Sequence, residues 1–403
     1  MTRLENARVL MYSHDTFGLG HLRRCRTIAH ALVERFKGLH VLIISGSPIA
    51  GAFEFRARVD FVKIPSVIKL YDGEYTSMDK HIDLADTMSM RKGIIQHTAE
   101  SYQPDIFIVD KEPLGLKGEL EPTLAMLKSR GAVLVLGLRE VMDDPELLRV
   151  EWQQRDVMRK IERYYDDIWV YGPRSFWDPL AGLDASAVIR SRMTYAGYIR
   201  RGTPVVGSKP RKAPSSGKIL VTAGGGGDGA ELMRDVLAAY EHDPGIAAPA
   251  LMVLGPFLGA EERDELHLRA DALPQVTMLD FDSRLETLVK HCAAVVGMCG
   301  YNTFCEVLSY DKPALIVPRI APRREQLIRA RRAAELGLIE MLMPDQAKDP
   351  AVMAAALRKL LVRQKPSQVE TPIRLDGLLR IGDRVGAYLA PVERPRLVLA
   401  AGE

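Results

Sequence analysis

Apolar positions along the chain follow two different periods. ARVLMYS (7–13), HVLIISG (40–46), DFVKIPS (60–66), PDIFIVD (104–110), GAVLVLGLRE (131–140) and DDIWVYG (166–172) are short, largely apolar runs of strand length. Between them the spacing changes to one apolar face per helical turn. In 21–36, for example, Leu22, Cys25, Ile28, Ala29, Leu32 and Phe36 share a face. The same spacing predicts helices near 82–102, 116–129 and 145–164. Strands without polar alternation, separated by helices, specify a parallel sheet covered on both faces.

The pattern lapses over GYIRRGTPVVGSKPRKAPSSGK (197–218), which is rich in Gly, Pro, Ser and Lys and reads as a linker. A second series opens with KILVTAGGGGDG (218–229) and continues through strands at 248–255, 276–281, 293–300 and 313–319. Its helices are predicted at 230–241, 260–270, 283–291, 302–309 and 324–336, and an amphipathic helix at 375–392 follows the second sheet. The expected division is a first domain at 1–196, a linker at 197–217, a second domain at 218–370, and 371–403 crossing back toward the first. A chain of 403 residues accommodates two such domains, and 47% apolar residues give each an ample core.

Charge narrows the function classes. Lys+Arg 55 against Asp+Glu 52 gives +3, too balanced to indicate a nucleic-acid partner. The basic residues cluster, however, at Arg200, Arg201, Lys209, Arg211 and Lys212, and again from Arg319 to Arg332. Four cysteines without a C-x-x-C spacing argue against a zinc site or disulfide frame and for a reducing compartment. No run approaches the roughly eighteen apolar residues of a membrane span, and the first residues do not read as a secretion signal. The expected location is cytoplasmic.

Each series begins with strand, glycine loop, helix: SHDTFGLGHLRR (13–24) in the first and AGGGGDG (223–229) in the second. Glycines at a helix start let an anion approach free N–H groups at the positive end of the helix dipole. Neither loop is followed by the G-K-[ST] of a Walker A motif. Each is either a tight turn or a phosphate site, and the four consecutive glycines make 224–229 the stronger case for phosphate. A third loop, around Gly300, leads into a helix carrying Asn302, Thr303 and Glu306. Glu306 follows Thr303 at the spacing of a capping box, so it is either a cap or a ligand residue. The Arg323-Arg324 pair likewise reads either as a solvated helix start or as an anion site.

The stretch VVGMCGYNTFCEVLSYDKPALIVPRIAPRREQLIRARRAAELG (295–337), together with the two glycine loops and TYAGYIRR (194–201), resembles glycosyltransferase family 28, typified by the MurG-type enzymes. SHDTFGLGHLRR is also similar to a further group of bacterial glycosyltransferase sequences. The resemblance implies the GT-B fold class, α/β, with two Rossmann-like parallel-sheet domains facing across a cleft. It implies a nucleotide-sugar donor, UDP-linked, held mainly by the second domain. Glu306 would accept the ribose hydroxyls, as suits a carboxylate with two acceptor oxygens. Gly224, Gly225, Gly226 and Gly227 would lie against the diphosphate, and Phe281 beside the base. Gly300, Asn302 and Thr303 would flank the phosphates, and Arg324, Glu325 and Gln326 would meet the donor sugar or diphosphate.

In the first domain Gly18 and Gly20 would approach the substrates. His21 would be the base for an acceptor hydroxyl, with Asp15 and Glu112 as alternatives; the bland reading of His21 is a helix-start histidine. Asp110, Lys111, Arg139 and Glu140 follow strand ends and face the same cleft. No D-x-D pair sits at a suitable strand end, so metal-independent inverting transfer with no cofactor is expected. The expected acceptor is a glycan or a lipid-linked molecule, with the basic segments and IPSVIKLY (64–71) available for peripheral contact at the inner face of the membrane. A 2-epimerase or hydrolase of the same fold, or a non-catalytic nucleotide-sugar-binding protein, are the competing readings. All of them require a gap between the domains.

Overall fold

The computed structural model describes residues 2–14, 20–69, 75–79, 81–202, 214–225, 227–370 and 373–390. In the first lobe β1 (Thr2–Ser13) leads into α1 (Gly20–Arg35), β2 (Phe36–Ser45), β3 (Val59–Lys63) and a small hairpin, β4 (Val67–Lys69) with β5 (Tyr75–Ser77). Next come α2 (Leu84–Tyr102), β6 (Ile106–Asp110), α3 (Glu121–Ser129) and β7 (Val133–Arg139). The lobe finishes with α4 (Pro145–Gln154), α5 (Val157–Tyr164), β8 (Asp167–Tyr171), α6 (Ala187–Ser191) and β9 (Met193–Tyr195). Its sheet is parallel, with strand order β3-β2-β1-β6-β7-β8-β9.

The second lobe opens with β10 (Ile219–Thr222), α7 (Ala230–His242), β11 (Ala250–Val253) and α8 (Ala260–Asp271). It continues with β12 (Val276–Leu279), α9 (Leu285–His291), β13 (Ala294–Gly297), α10 (Tyr301–Ser309) and β14 (Ala314–Ile316). Then follow α11 (Glu325–Glu335), β15 (Glu340–Met341), α12 (Pro344–Ala347) and α13 (Pro350–Leu360). This sheet is also parallel, in the order β12-β11-β10-β13-β14-β15. The chain reverses its winding between β1 and β6 in one lobe and between β10 and β13 in the other. Such switch points open a crevice at the strands' carboxyl ends, where ligands bind.

The fold class is therefore the expected one: α/β, with two parallel-sheet lobes. Where local structure differs from the sequence pattern, a backbone feature explains it. The helix expected over 145–164 breaks into α4 and α5 because Asp156 adopts a left-handed conformation with φ 50°. The helix expected over 116–129 begins only at Glu121, after a short 3-10 turn in which Lys117 and Gly118 have positive φ. The stretch 338–370, given no elements from the pattern, contains β15, α12 and α13.

A last helix, α14 (Gly377–Tyr388), packs on α1 of the first lobe. Asp167 anchors it, accepting from Arg384 Nη2 at 2.6 Å and from the Tyr388 hydroxyl. Between the lobes lie Phe176, Tyr198, Tyr301 and Phe304, with the Tyr198 and Phe304 rings 5.3 Å apart edge to face. Buried beside them, Arg329 from α11 donates to Glu140 Oε1 at 2.6 Å; both side chains are 0% exposed. Glu140 also accepts from the Tyr198 hydroxyl at 3.1 Å.

Removing one partner from a fully buried ion pair strands the other charge. Arg329→Met is expected to destabilise the protein by about 3–5 kcal/mol in urea unfolding, and the double change with Glu140→Leu to recover much of the loss. A loss in the double variant equal to the sum of the two single losses would show that the pair does not act as a unit.

Candidate active site

Between the lobes is a cavity of about 1170 Å³, its open mouth included. The first lobe contributes Gly20, His21, Arg23, Arg24 and Arg139 to its lining. The second contributes the Gly224–Gly225 turn, Phe281, Gly300, Asn302, Thr303, Glu325 and Gln326. Most of the expected site residues thus meet in one place. Asp15, Gly18 and Gly226 lie outside the described residues, and Gly227 is described but does not line the cavity.

Two helices of the second lobe start directly after a residue that lines this cavity, Gly300, or one position beyond such a residue, Asp228. α7 follows Gly229 and α10 follows Gly300, and neither has a side-chain cap. Their first N–H groups therefore have no capping side chain, the arrangement that favours an anion. The glycine turn is required for steric reasons as well. Gly224 has φ 76°, and a Cβ at Gly255 (φ 107°) would sit 2.6 Å from the Gly224 carbonyl oxygen. Gly300 differs, since a Cβ there would meet nothing within 4 Å. Thr303 lies inside α10 instead of capping it, so the capping reading of Glu306 fails.

On the first-lobe side a charge chain positions His21. Asp110, the last residue of β6, accepts from Arg24 Nε at 2.8 Å and Nη2 at 2.5 Å, and pairs with His21 Nδ1 at 2.5 Å. Burial pushes the Asp110 carboxyl up, but the Arg24 charge and the His21 hydrogen bond outweigh it and hold the group well below the usual carboxylate range. An ionised Asp110 makes Nδ1 the protonated nitrogen, which leaves Nε2 with a lone pair. Burial lowers the imidazole to about 4, so it is neutral at pH 7.

Other expected residues lie elsewhere, each for an identifiable reason. Glu112 does not line the cavity; its carboxylate faces Lys111 Nζ at 3.5 Å and Arg155 Nη1 at 3.7 Å. Burial raises that carboxyl, but Lys111, His14, Arg155 and Arg323 together bring it down to about 2. Arg324 is drawn away toward the first lobe, its backbone N–H donating to Asp143 Oδ1 at 2.7 Å and its side chain reaching Asp144. Arg323 pairs with Asp143 and Glu151 at 2.8 Å each, Arg324 is exposed, and neither lines the cavity.

Glu306 lies behind the cavity wall, 0% exposed, against Arg23 of α1. The same guanidinium Nη2 donates to Glu286 Oε1 at 2.8 Å. Burial, with the Glu286 charge beside it, pushes the Glu306 carboxyl up against the pull of Arg23, while Glu286 is held down to about 2 by Arg23 despite its burial. Arg201 closes the same end of the seam, donating to Thr27 Oγ1 at 2.9 Å and to Asn302 Oδ1, while Asn302 Nδ2 donates to the Gly20 carbonyl at 3.0 Å. The gap between the lobes is therefore filled by side chains at Glu306 and Asn302, and open from the glycine turn to Arg139.

Arg319 and Asp228 were absent from the sequence reading of the site. Arg319 donates to Asp228 Oδ2 and to Glu325 Oε1, both at 2.6 Å, and its backbone N–H donates to Gln326 Oε1 at 3.1 Å. It thus orients the glycine loop's acid and the Glu325-Gln326 pair together. Asp228 closing the glycine run was the only local signal of this contact.

Residues 219–372 match the family described as the glycosyltransferase family 28 C-terminal domain. No curated sequence matches the chain. Among solved structures it is similar to MurG of Acinetobacter baumannii (13% identity over 94% of this chain and 99% of that one, TM-score 0.57). It is also similar to the calicheamicin glycosyltransferase CalG4 (19%, 96% and 100%, TM-score 0.58). A UDP-N-acetylglucosamine 2-epimerase shares the fold to the same degree (13%, 98% and 99%, TM-score 0.58). The fold is of the GT-B class, shared by these glycosyltransferases and the epimerase alike. The second lobe matches the family 28 C-terminal domain, and the MurG-like resemblance of the sequence holds.

The His21 geometry has a stability consequence. The imidazole titrates near 6.5 when unfolded and near 4 when folded, so between those values the unfolded chain binds more protons. Its contribution is complete above pH 6.5 and is lost as pH falls toward 4, at up to about 1.4 kcal/mol per unit. His21→Asn, which keeps a donor toward Asp110, should flatten the fall of the urea midpoint between pH 6.5 and 4. A slope identical to that of the unsubstituted protein would contradict a buried neutral imidazole.

Proposed function

We propose that the enzyme transfers a hexose-type sugar from a UDP-linked donor to a hydroxyl acceptor, with inversion and without a metal. The observation that carries this reading is the facing pair of features across one cavity: a neutral histidine fixed by Asp110, and the Gly224–Gly225 turn beside the start of α10 at Gly300, which has no side-chain cap. The donor diphosphate rests on the amides of the Gly224–Gly225 turn and of α10, with the base beside Phe281. Hydroxyls of the sugar meet Glu325, whose Oε2 is buried without a partner, and Gln326. Ribose binding at Glu306 requires Arg23 to withdraw from that carboxylate.

In the reaction, the acceptor oxygen bonds to the anomeric carbon as its proton passes to His21 Nε2. The bond from that carbon to the phosphate oxygen breaks, and its electron pair remains on the departing diphosphate. Amides and cations around the glycine turn offset the charge that develops there. The acceptor is a cell-envelope glycan; a lipid-linked one would place the surface around Ile68, which is exposed, toward the inner face of the membrane. No helix among the described residues is long and apolar enough to cross a membrane.

The epimerase sharing this fold makes donor-alone turnover the discriminating assay. Nucleotide release that requires an acceptor supports transfer; epimer formation from donor alone contradicts it. With donor and acceptor in hand, His21→Ala should lower kcat by roughly 10²–10⁴-fold while donor affinity stays within about threefold, and the acid limb of kcat/KM should fall near 4. Unchanged kcat would remove His21 as the base.

Gly300→Ala separates ligand approach from folding. No steric conflict exists in the ligand-free protein, so its melting temperature should not change while donor affinity drops at least fivefold. Undiminished affinity in calorimetry would place the donor away from α10.

A further inference from the structure

The first-lobe wall of the cavity holds a cation that no neighbour neutralises directly. Four arginines line the cavity: Arg23, Arg24, Arg139 and Arg319. Three are committed, Arg23 to Glu286 and Glu306, Arg24 to Asp110, and Arg319 to Asp228 and Glu325. Among the described residues the Arg139 side chain makes neither a hydrogen bond nor an ion pair, and its Nε is buried without a partner.

The placement is set by the sheet. Arg139 ends β7, one strand from the β1–β6 switch point. Beside it, Lys111 leaves β6 in a left-handed conformation with φ 70°, its amide donating to the Gly137 carbonyl at 2.7 Å. A non-glycine residue in that region is strained, and such residues concentrate at ligand sites. Burial lowers Arg139 to about 10, with Glu325 opposing and Arg329 and Arg24 adding to the fall. Burial lowers Lys111 as well, against the pull of Glu112, with Arg139 and Arg323 adding to the fall. The wall is crowded with positive charge, and an incoming oxyanion would relieve it.

Across from Arg139, Glu325 gives one oxygen to Arg319 and keeps Oε2 without a partner. A guanidinium without a partner and a carboxylate with one unpartnered oxygen therefore line the same cavity. Together they suit a group that carries an oxyanion and a hydroxyl a few bonds apart. We infer that Arg139 is an oxyanion-binding residue of the sugar subsite, taking either the sugar-linked phosphate of the donor or the carboxylate of an acidic sugar. This rests on the nucleotide-sugar reading of the cavity. From the opposite lobe, Arg139 would complete a diphosphate site that the second lobe begins with backbone amides alone, and would meet the charge left on the phosphate when the glycosidic bond breaks. A guanidinium binds such groups through a planar fork that an ammonium lacks.

The test is calorimetric titration of the unsubstituted protein, Arg139→Gln and Arg139→Lys with uridine, UMP and UDP, then with UDP-glucose and UDP-glucuronate. Urea midpoints equal to that of the unsubstituted protein certify each variant's fold. A tenfold or greater loss of UDP affinity in Arg139→Gln, with UMP within twofold, supports the inference and assigns the phosphate. Unchanged UDP with a tenfold loss confined to UDP-glucuronate supports it and assigns the carboxylate. In either case Arg139→Lys should recover only part of the loss. Affinities for every ligand equal to those of the unsubstituted protein overturn the inference while leaving the donor reading intact. Failure of the unsubstituted protein to bind any of the five overturns both.

Discussion

One buried contact organises the rest of the molecule: the guanidinium of Arg23 held between Glu286 and Glu306 across the two lobes. Taking three charged groups out of water is unfavourable unless each finds its partner, and removing one strands the others. The contact therefore fixes where α1 sits against α9 and α10. Because His21 lies two residues before Arg23 and Arg24 one residue after, the same registration aims the imidazole into the cavity and lets Arg24 grip Asp110. Arg201, reaching from the connector to Thr27 and Asn302, and Arg329 on Glu140 hold the same closed arrangement.

The seam carries an internal opposition that bears on function. Its closed end uses Glu306 and Asn302 for contacts between lobes, and these are residues that the family resemblance assigns to the donor. Its open end is lined by the glycine turn, Glu325 and Arg139, and the two side chains keep polar atoms without a partner. Donor binding would exchange one set of partners for another instead of entering a finished pocket. The burial that raises the Glu306 carboxyl makes it a demanding acceptor, since it tolerates loss of Arg23 only if other donors arrive.

The two-lobed architecture was legible because apolar runs of strand length and helical faces alternate without ambiguity, and the glycine loops stand out against them. Gly224 and Gly300 stand out as glycine loops between strand and helix, whereas only the family resemblance singles out Phe281. Partnerships were not legible. Arg23 meets Glu306 over 283 positions and Arg24 meets Asp110 over 86, distances at which spacing carries no signal. The Thr303–Glu306 interval imitated a capping box because i and i+3 share a helix face wherever they lie in a helix; only the position of Gly300 as the actual N-cap separates the readings. Arg323 and Arg324 looked like anion binders by composition, yet Asp143, Asp144 and Glu151 on the other lobe claim them. Arg139 has the converse history: its strand-end position pointed it to the cleft, but its lack of a partner shows only once its neighbours prove to be otherwise engaged.

A structure of the protein with UDP bound tests the account most directly. It predicts the diphosphate against the amides of Gly224–Gly225 and the start of α10, the ribose on Glu306, and Arg23 moved off that carboxylate. UDP bound with the Arg23–Glu306 contact intact and the ribose held elsewhere would contradict it.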